Sequence, residues 1–287
     1  MKIIDTHAHY DEDAFDQDRD FLLTSGLKAG DVELVVNMGA SMEGAEKSAE
    51  LAEKYPMVYA GCGIHPDDCG IFEEAENAED TGSSLRGELT PDWSLAAHAE
   101  NSALLHLREL LFRPKVVCIG EIGLDYHWMV QSKEIQQKWF AIQLQLAAEL
   151  GFPINVHSRE ASQDTFDVIV KNHTKNGKTT TGGIIHAYSG SAEMAREYVK
   201  LGYHIGVGGV VTFKNGKKLR GVVESIPLEA LVTETDCPYM SPEPVRGSRN
   251  DSRNIRHVIA KIAEIKGMDI EDCAEVLYQN ALSVYRI

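Results

Sequence analysis

Ile3-Ile4-Asp5-Thr6-His7-Ala8-His9 opens the chain with a short apolar run that ends in two imidazoles spaced two residues apart. On an extended strand, residues i and i+2 project from the same face, so the two rings can share one metal ion. Taken alone, His-x-His fits a pair of half-exposed strand histidines equally well. Four later apolar runs also end in potential ligands. The common cause we expect is a barrel whose strands all open onto one mouth.

Short β-rich runs recur at residues 2–5, 33–37, 58–61, 116–120, 153–156, 183–185, 203–206 and 231–235. Most are followed by a longer stretch with helical periodicity, the pattern of parallel βα units. The clearest helix covers 132–150, where Ile135, Trp139, Ile142, Leu146 and Leu150 recur at spacings of three and four before Gly151 and Pro153 end it. Further helices are expected at 43–55, 95–112, 192–201, 253–266 and 271–285. Eight units of this kind predict an α/β fold, a (β/α)8 TIM-like barrel, with an open doubly wound sheet as the alternative. Residues 1–287 read as a single domain. The acidic stretch at 67–92 reads as an insertion after the third strand, a solvated loop beside the mouth.

Composition narrows the function classes. A hydrophobic share of 43% and a charged share of 25% are those of an ordinary globular protein. A formal charge of −16 argues against a surface that coats nucleic acid, so any phosphate must be held locally. No apolar run is long enough for a membrane span, and Asp5 comes too early for a secretory leader, so a cytoplasmic location is expected. Five cysteines without CxxC spacing fit reduced, packed thiols. Nothing in the chain calls for an obligate protein partner.

The strand ends carry the chemistry. They are His7 and His9, then Gly63-Ile64-His65-Pro66, Gly120-Glu121-Ile122-Gly123-Leu124-Asp125, His157-Ser158-Arg159, His186-Ala187-Tyr188 and Glu234-Thr235-Asp236-Cys237-Pro238. Singly, each histidine could be a core residue and each carboxylate a helix cap. Jointly, His7, His9, His157, His186, Glu121 and Asp236 suit two divalent ions bridged by a carboxylate. Asp125 reads as a loop-shaping residue at least as readily as a ligand. Asp5 and Glu234 are read as projecting away from the neighbouring ligands, in supporting or packing roles. His98, His106, His173 and His257 are read as structural or solvent-facing, and His127 and His204 are left unassigned.

Seven ordered motifs spread over nearly the whole chain make it resemble the TatD-type metal-dependent hydrolases of the amidohydrolase superfamily. They are Asp5-Thr6-His7-Ala8-His9, Gly63-Ile64-His65-Pro66, Gly120 to Tyr126, Pro153 to Arg159, His186 to Gly190, Glu234 to Tyr239 and Arg246 to Asn250. The resemblance implies that His7, His9, Glu121 and Asp236 hold one metal, that Glu121, His157 and His186 hold a second, and that His65 and Arg159 face a substrate phosphate. The chain departs from the usual pattern in its acidic insertion and at Asp125-Tyr126-His127-Trp128, where the family often has a second tyrosine.

The resemblance implies a divalent-metal phosphodiesterase, most often a deoxyribonuclease of the exonuclease type, acting on DNA ends or short single-stranded nucleic acid. Two ions (Mg, Mn or Zn) would acidify a shared water, Glu121 would bridge them, and Asp236 would take the proton as general base. Phe213 is a possible stacking surface for a base, although a core role is commoner. Two other classes stay open: hydrolysis of another ester or amide, such as the ester of an aminoacyl-tRNA, and non-catalytic binding of metal or nucleic acid. Glu121, standing where many relatives in the superfamily carry a modified lysine, favours the phosphodiesterase.

Overall fold

The computed structural model describes residues 1–79 and 93–287. Among them, eight parallel strands form one sheet in sequential order: Ile3–Ala8, Val32–Gly39, Val58–Cys62, Val116–Asp125, Ile154–Arg159, Gly183–Ile185, His204–Val207 and Leu231–Thr233. The first and last strands meet at the mouth, where Ala8 bridges Cys237 in parallel. There the Asp236 N–H donates to His7 O at 2.9 Å and the His9 N–H donates to Cys237 O at 2.9 Å. A sheet whose order never reverses and whose two edges meet is a nearly closed (β/α)8 barrel, which removes the open doubly wound alternative. All six residues of the first strand are buried, as parallel strands covered on both faces must be.

The helix Lys133–Leu150 lies where its periodicity places it. The Ser132 hydroxyl accepts from the Ile135 N–H at its start, and Gly151 takes φ +81° at its end. The expected helix at 95–112 is broken instead into a short turn, Leu95–His98, and the helix Ser102–Leu111. Asn101 makes the break by capping the second piece at the Leu104 N–H and donating its amide to Phe72 O. Two helices, Ser162–His173 and Lys217–Ser225, lie in stretches that carry no clear helical signal. Their β-branched residues and Gly221 weaken intrinsic helicity, and burial of Val168, Ile169, Leu219, Val222 and Val223 overrides it.

The reading of 67–92 as a solvated loop needs correction over its first part, where Gly70–Glu79 is helical. Phe72 is fully buried and stacks on Trp139 with ring centroids 4.4 Å apart. Glu73 accepts from Trp139 Nε1 and Lys138 Nζ, each at 2.7 Å. One apolar anchor and two ion pairs to Lys138, from Glu73 and from Glu76, thus tie this acidic segment to the helix Lys133–Leu150. Residues 80–92, the remainder of that expected loop, lie outside the described residues.

His173 is structural, as expected. It ends the helix Ser162–His173, is fully buried, and bonds Tyr203 Oη at 2.7 Å and Thr181 Oγ1 at 2.8 Å. Burial pushes its pKa down to about 4. A histidine held neutral in the fold but free to protonate when unfolded stabilises the protein above its unfolded pKa of about 6.5 and loses that stabilisation as pH falls toward 4. The expected loss is about 3 kcal/mol at most. Urea unfolding at several pH values checks this: between pH 6.5 and 4 the stability of His173→Gln should fall less steeply than that of the unaltered chain.

Candidate metal centre

Hydrogen bonds behind the rings fix the protonation of the first two histidines. The Asn155 amide donates to Tyr285 Oη at 3.0 Å, and Tyr285 in turn donates to Thr6 O at 2.8 Å. The Asn155 carbonyl oxygen therefore faces His7 Nδ1 at 2.9 Å and can only accept. His9 Nδ1 lies 2.9 Å from Met38 O, also an acceptor. Both Nδ1 atoms carry the proton, so both Nε2 lone pairs point forward, 3.1 Å from each other.

Two carboxylates converge on the same point. Glu121 Oε2 lies 3.5 Å from His7 Nε2 and 3.8 Å from His9 Nε2, and Asp236 Oδ1 lies 3.8 Å and 3.3 Å from the same atoms. Four acceptors facing one another in a buried pocket repel unless a cation sits among them. The electrostatics register that demand. Burial opposes charge on His9, yet the bonded Asp236 and nearby Glu121 override it and raise its pKa to about 10, so that without a metal a proton on Nε2 takes the place of that cation. Burial works against ionising Glu121 as well, but His7 and His157 hold it well below the usual carboxylate range. This donor set of imidazole and carboxylate fits a divalent metal.

The other oxygen of Glu121 faces a second group. Glu121 Oε1 lies 2.9 Å from His157 Nδ1 and 3.8 Å from His186 Nε2. The fourth strand runs five residues beyond its expected end, to Asp125, and the two-residue period puts Glu121, Gly123 and Asp125 on one face. Gly123 is required there. It adopts φ +148°, and a Cβ would come 1.9 Å from His157 O. Close approach of the two strands lets Asp125 Oδ2 reach His157 Nε2 at 3.0 Å, while Asp125 Oδ1 accepts from the His127 and Trp128 N–H groups. Asp125 thus shapes the loop, as expected, and also orients the His157 ring. Burial opposes charge on His157 too, but Asp125 and Glu121 raise its pKa to about 9.

Asp236 reaches the centre from a left-handed backbone conformation, φ +56°. Neighbouring bonds hold it there. Asp5 accepts from Thr235 N and Oγ1 and from Ser252 Oγ, and the Asn250 amide donates to Thr235 O and Tyr239 O. Asp5 is the supporting residue that was expected. Glu234 is a supporting residue too, as expected, but it does not project away. Its Oε1 accepts from the Ala187 N–H at 2.6 Å and lies 3.3 Å from His186 Nδ1, in ion-pair contact without hydrogen-bond alignment. The eighth strand ends at Thr233, so the strand period does not set the direction of either Glu234 or Asp236. Carboxylates behind a ligating histidine typically tune metal affinity by about 10–100-fold. Glu234→Gln should weaken metal retention by that amount, as read by titration with a metal indicator.

His65 borders the six candidate ligands beside His157 and Asp125, and Arg159 stands apart from them. His65 Nδ1 accepts from the Asp67 N–H at 3.2 Å, which leaves the proton on Nε2. Its ring packs against the His157 ring with centroids 4.5 Å apart, and burial lowers its pKa to about 4. It is a neutral donor of fixed tautomer. Arg159 is exposed, with its guanidinium carbon 5.4 Å from the centre of the Trp128 ring. Phe213 is half-buried under the Arg246 guanidinium at 4.2 Å, rather than in the core.

The sequence profile of the TatD related DNase family matches residues 4–286. The chain belongs to that family. It is 36% identical to the metal-dependent hydrolase YabD of Bacillus subtilis, over 99% of both chains. It is 32% identical to a metal-dependent hydrolase of Methanocaldococcus jannaschii, over 100% of this chain and 98% of the relative. The crystal structure of the TatD homologue YjjV of Escherichia coli superposes with a TM-score of 0.80 at 28% identity, over 99% of this chain and 98% of that one. This TatD-family chain is a metal-dependent hydrolase. No helix among its described residues is long and apolar enough to cross a membrane.

Proposed function

We propose that this TatD-family hydrolase is a deoxyribonuclease that cleaves phosphodiester bonds at DNA ends or in short single strands, using two divalent ions (Mg, Mn or Zn). One observation carries the reading: the Glu121 carboxylate divides its oxygens, Oε2 toward His7 and His9 and Oε1 toward His157 and His186. A carboxylate placed between two histidine groups is suited to bridge two cations. His7, His9 and Asp236 would hold one with Glu121, and His157 and His186 the other.

Bound there, divalent cations supply charge neutralisation at phosphoryl oxygens and bring the pKa of a water toward neutrality. The side chains do the rest. Asp236, held below the usual carboxylate range against its burial by His9, His186 and His7, is ionised and positioned to accept the proton of the attacking water. His65 presents its Nε2–H to a phosphate oxygen, and Arg159 adds a positive charge at the rim. A chain of net charge −16 should favour ends and short strands, which enter the mouth without laying a long duplex across the surface.

A nuclease assay on 3′- and 5′-labelled single and double strands, repeated across metals and after chelation, tests the proposal. Metal-dependent release of nucleotides is expected. Chelator-resistant turnover, or turnover of carboxylic esters without any of phosphodiesters, would overturn it. His65→Ala should raise KM for oligonucleotides by about 10–100-fold, the loss of one hydrogen bond to a charged group. Its kcat and metal content should stay near those of the unaltered protein, as steady-state kinetics beside elemental analysis would report.

A further inference from the structure

The loop after the fourth strand carries three consecutive exposed apolar side chains: Trp128, Met129 and Val130, with Trp128 62% exposed. An indole in water at the mouth of a barrel calls for an occupant. Trp128 is held in place. Its N–H and that of His127 both donate to Asp125 Oδ1, at 3.0 and 2.8 Å, and the other oxygen of Asp125 binds His157. A single buried carboxylate therefore clamps the Trp128 backbone to a residue of the metal centre. The His127 ring meets the indole edge-on at 4.8 Å and is itself paired with Glu160 at 2.9 Å.

That pairing leaves Arg159 without a carboxylate partner among the described residues, and its guanidinium lies over the Trp128 ring. In a chain with 44 acidic and 28 basic residues, an arginine left unneutralised beside an exposed indole is a matched pair for one kind of ligand. The indole offers a π-face, and the guanidinium offers a charge for an adjacent phosphate. A lipid or an apolar protein surface would satisfy the indole and leave the arginine desolvated.

We propose that Trp128, with Arg159, is a stacking platform for the nucleobase beside the scissile phosphodiester. This inference rests on the phosphodiesterase reading and adds a residue that sets how the substrate strand is gripped. Stacking on an indole is tolerant of base identity, so the platform selects strands that carry a base at that position over strands that lack one.

The test compares the metal-loaded unaltered protein with Trp128→Ala and Trp128→Phe on two end-labelled oligonucleotides. One is natural and the other carries an abasic residue next to the bond cleaved. On the natural strand, Trp128→Ala should raise KM by about 10–100-fold with kcat and metal content unchanged, and Trp128→Phe should recover most of the loss. On the abasic strand the three proteins should have similar KM. Tryptophan fluorescence gives a readout independent of turnover. A phosphorothioate-ended oligonucleotide should quench emission from the unaltered protein and much less from Trp128→Phe, in which the buried Trp139 and the partly buried Trp93 remain. Normal cleavage with unchanged KM in Trp128→Ala overturns the platform alone. Quenching without any cleavage keeps the platform and overturns the nuclease reading, and the absence of both overturns both.

Discussion

Asp236→Asn should keep most of its metal and lose about 10²–10⁴ in kcat, the usual contribution of a positioned general base. Asparagine preserves the shape of the side chain and one coordinating oxygen. The left-handed backbone at this position also suits it, since Asn tolerates φ near +56° as well as Asp does. The Asp5, Thr235 and Asn250 bonds that hold the loop involve neighbouring atoms and should survive the change. What disappears is an oxygen basic enough to take a proton. Metal content by elemental analysis, measured beside kcat and KM on one oligonucleotide, separates the two roles. Near-normal kcat with full metal would assign the base elsewhere. Loss of metal in proportion to activity would make Asp236 a ligand only.

Glu121→Ala is expected to be more severe, because its carboxylate serves both histidine groups. Its removal leaves His7 and His9 on one side, and His157 and His186 on the other, without a shared anion. The protein should emerge from gel filtration with little of either ion, and its activity should fall by more than about 10²-fold, beyond what a residue behind the ligands costs. His7→Ala removes a donor from one group only, so it should retain more metal than Glu121→Ala. Equal retention in the two variants would argue against a bridge at Glu121. Circular dichroism guards the comparison, since a barrel whose core is apolar should keep its secondary structure when one polar residue at the mouth is shortened.

Much of the candidate site is legible along the chain because strand period and strand position are both local. His7 and His9 show as a pair through their two-residue spacing, and Glu121, His157, His186 and Asp236 show through their place at the ends of apolar runs. The hidden parts have nonlocal causes. Asn155 inside the fifth strand looks like an ordinary polar residue, yet its contact with Tyr285, 130 positions away, sets the tautomer of His7. Glu234 has the supporting role expected of it, but its direction toward His186 is hidden because the eighth strand ends at Thr233 and its period no longer applies. The helix Gly70–Glu79 was hidden by its acidic composition, which Phe72 outweighs only once Trp139 is beside it.

By itself the sequence determined the class of fold, the family and the identity of the residues that gather at the mouth, because alternating strand and helix periods and ordered motifs are written residue by residue. Only the tertiary structure decided how those residues face one another. Closure of the first strand against the eighth, the extension of the fourth strand through Gly123, and the division of Glu121 between two histidine groups all depend on distances between segments far apart in the chain. A spacing pattern sets the direction of a side chain on its own strand. The separation of two lone pairs by 3.1 Å across a pocket is set by packing alone.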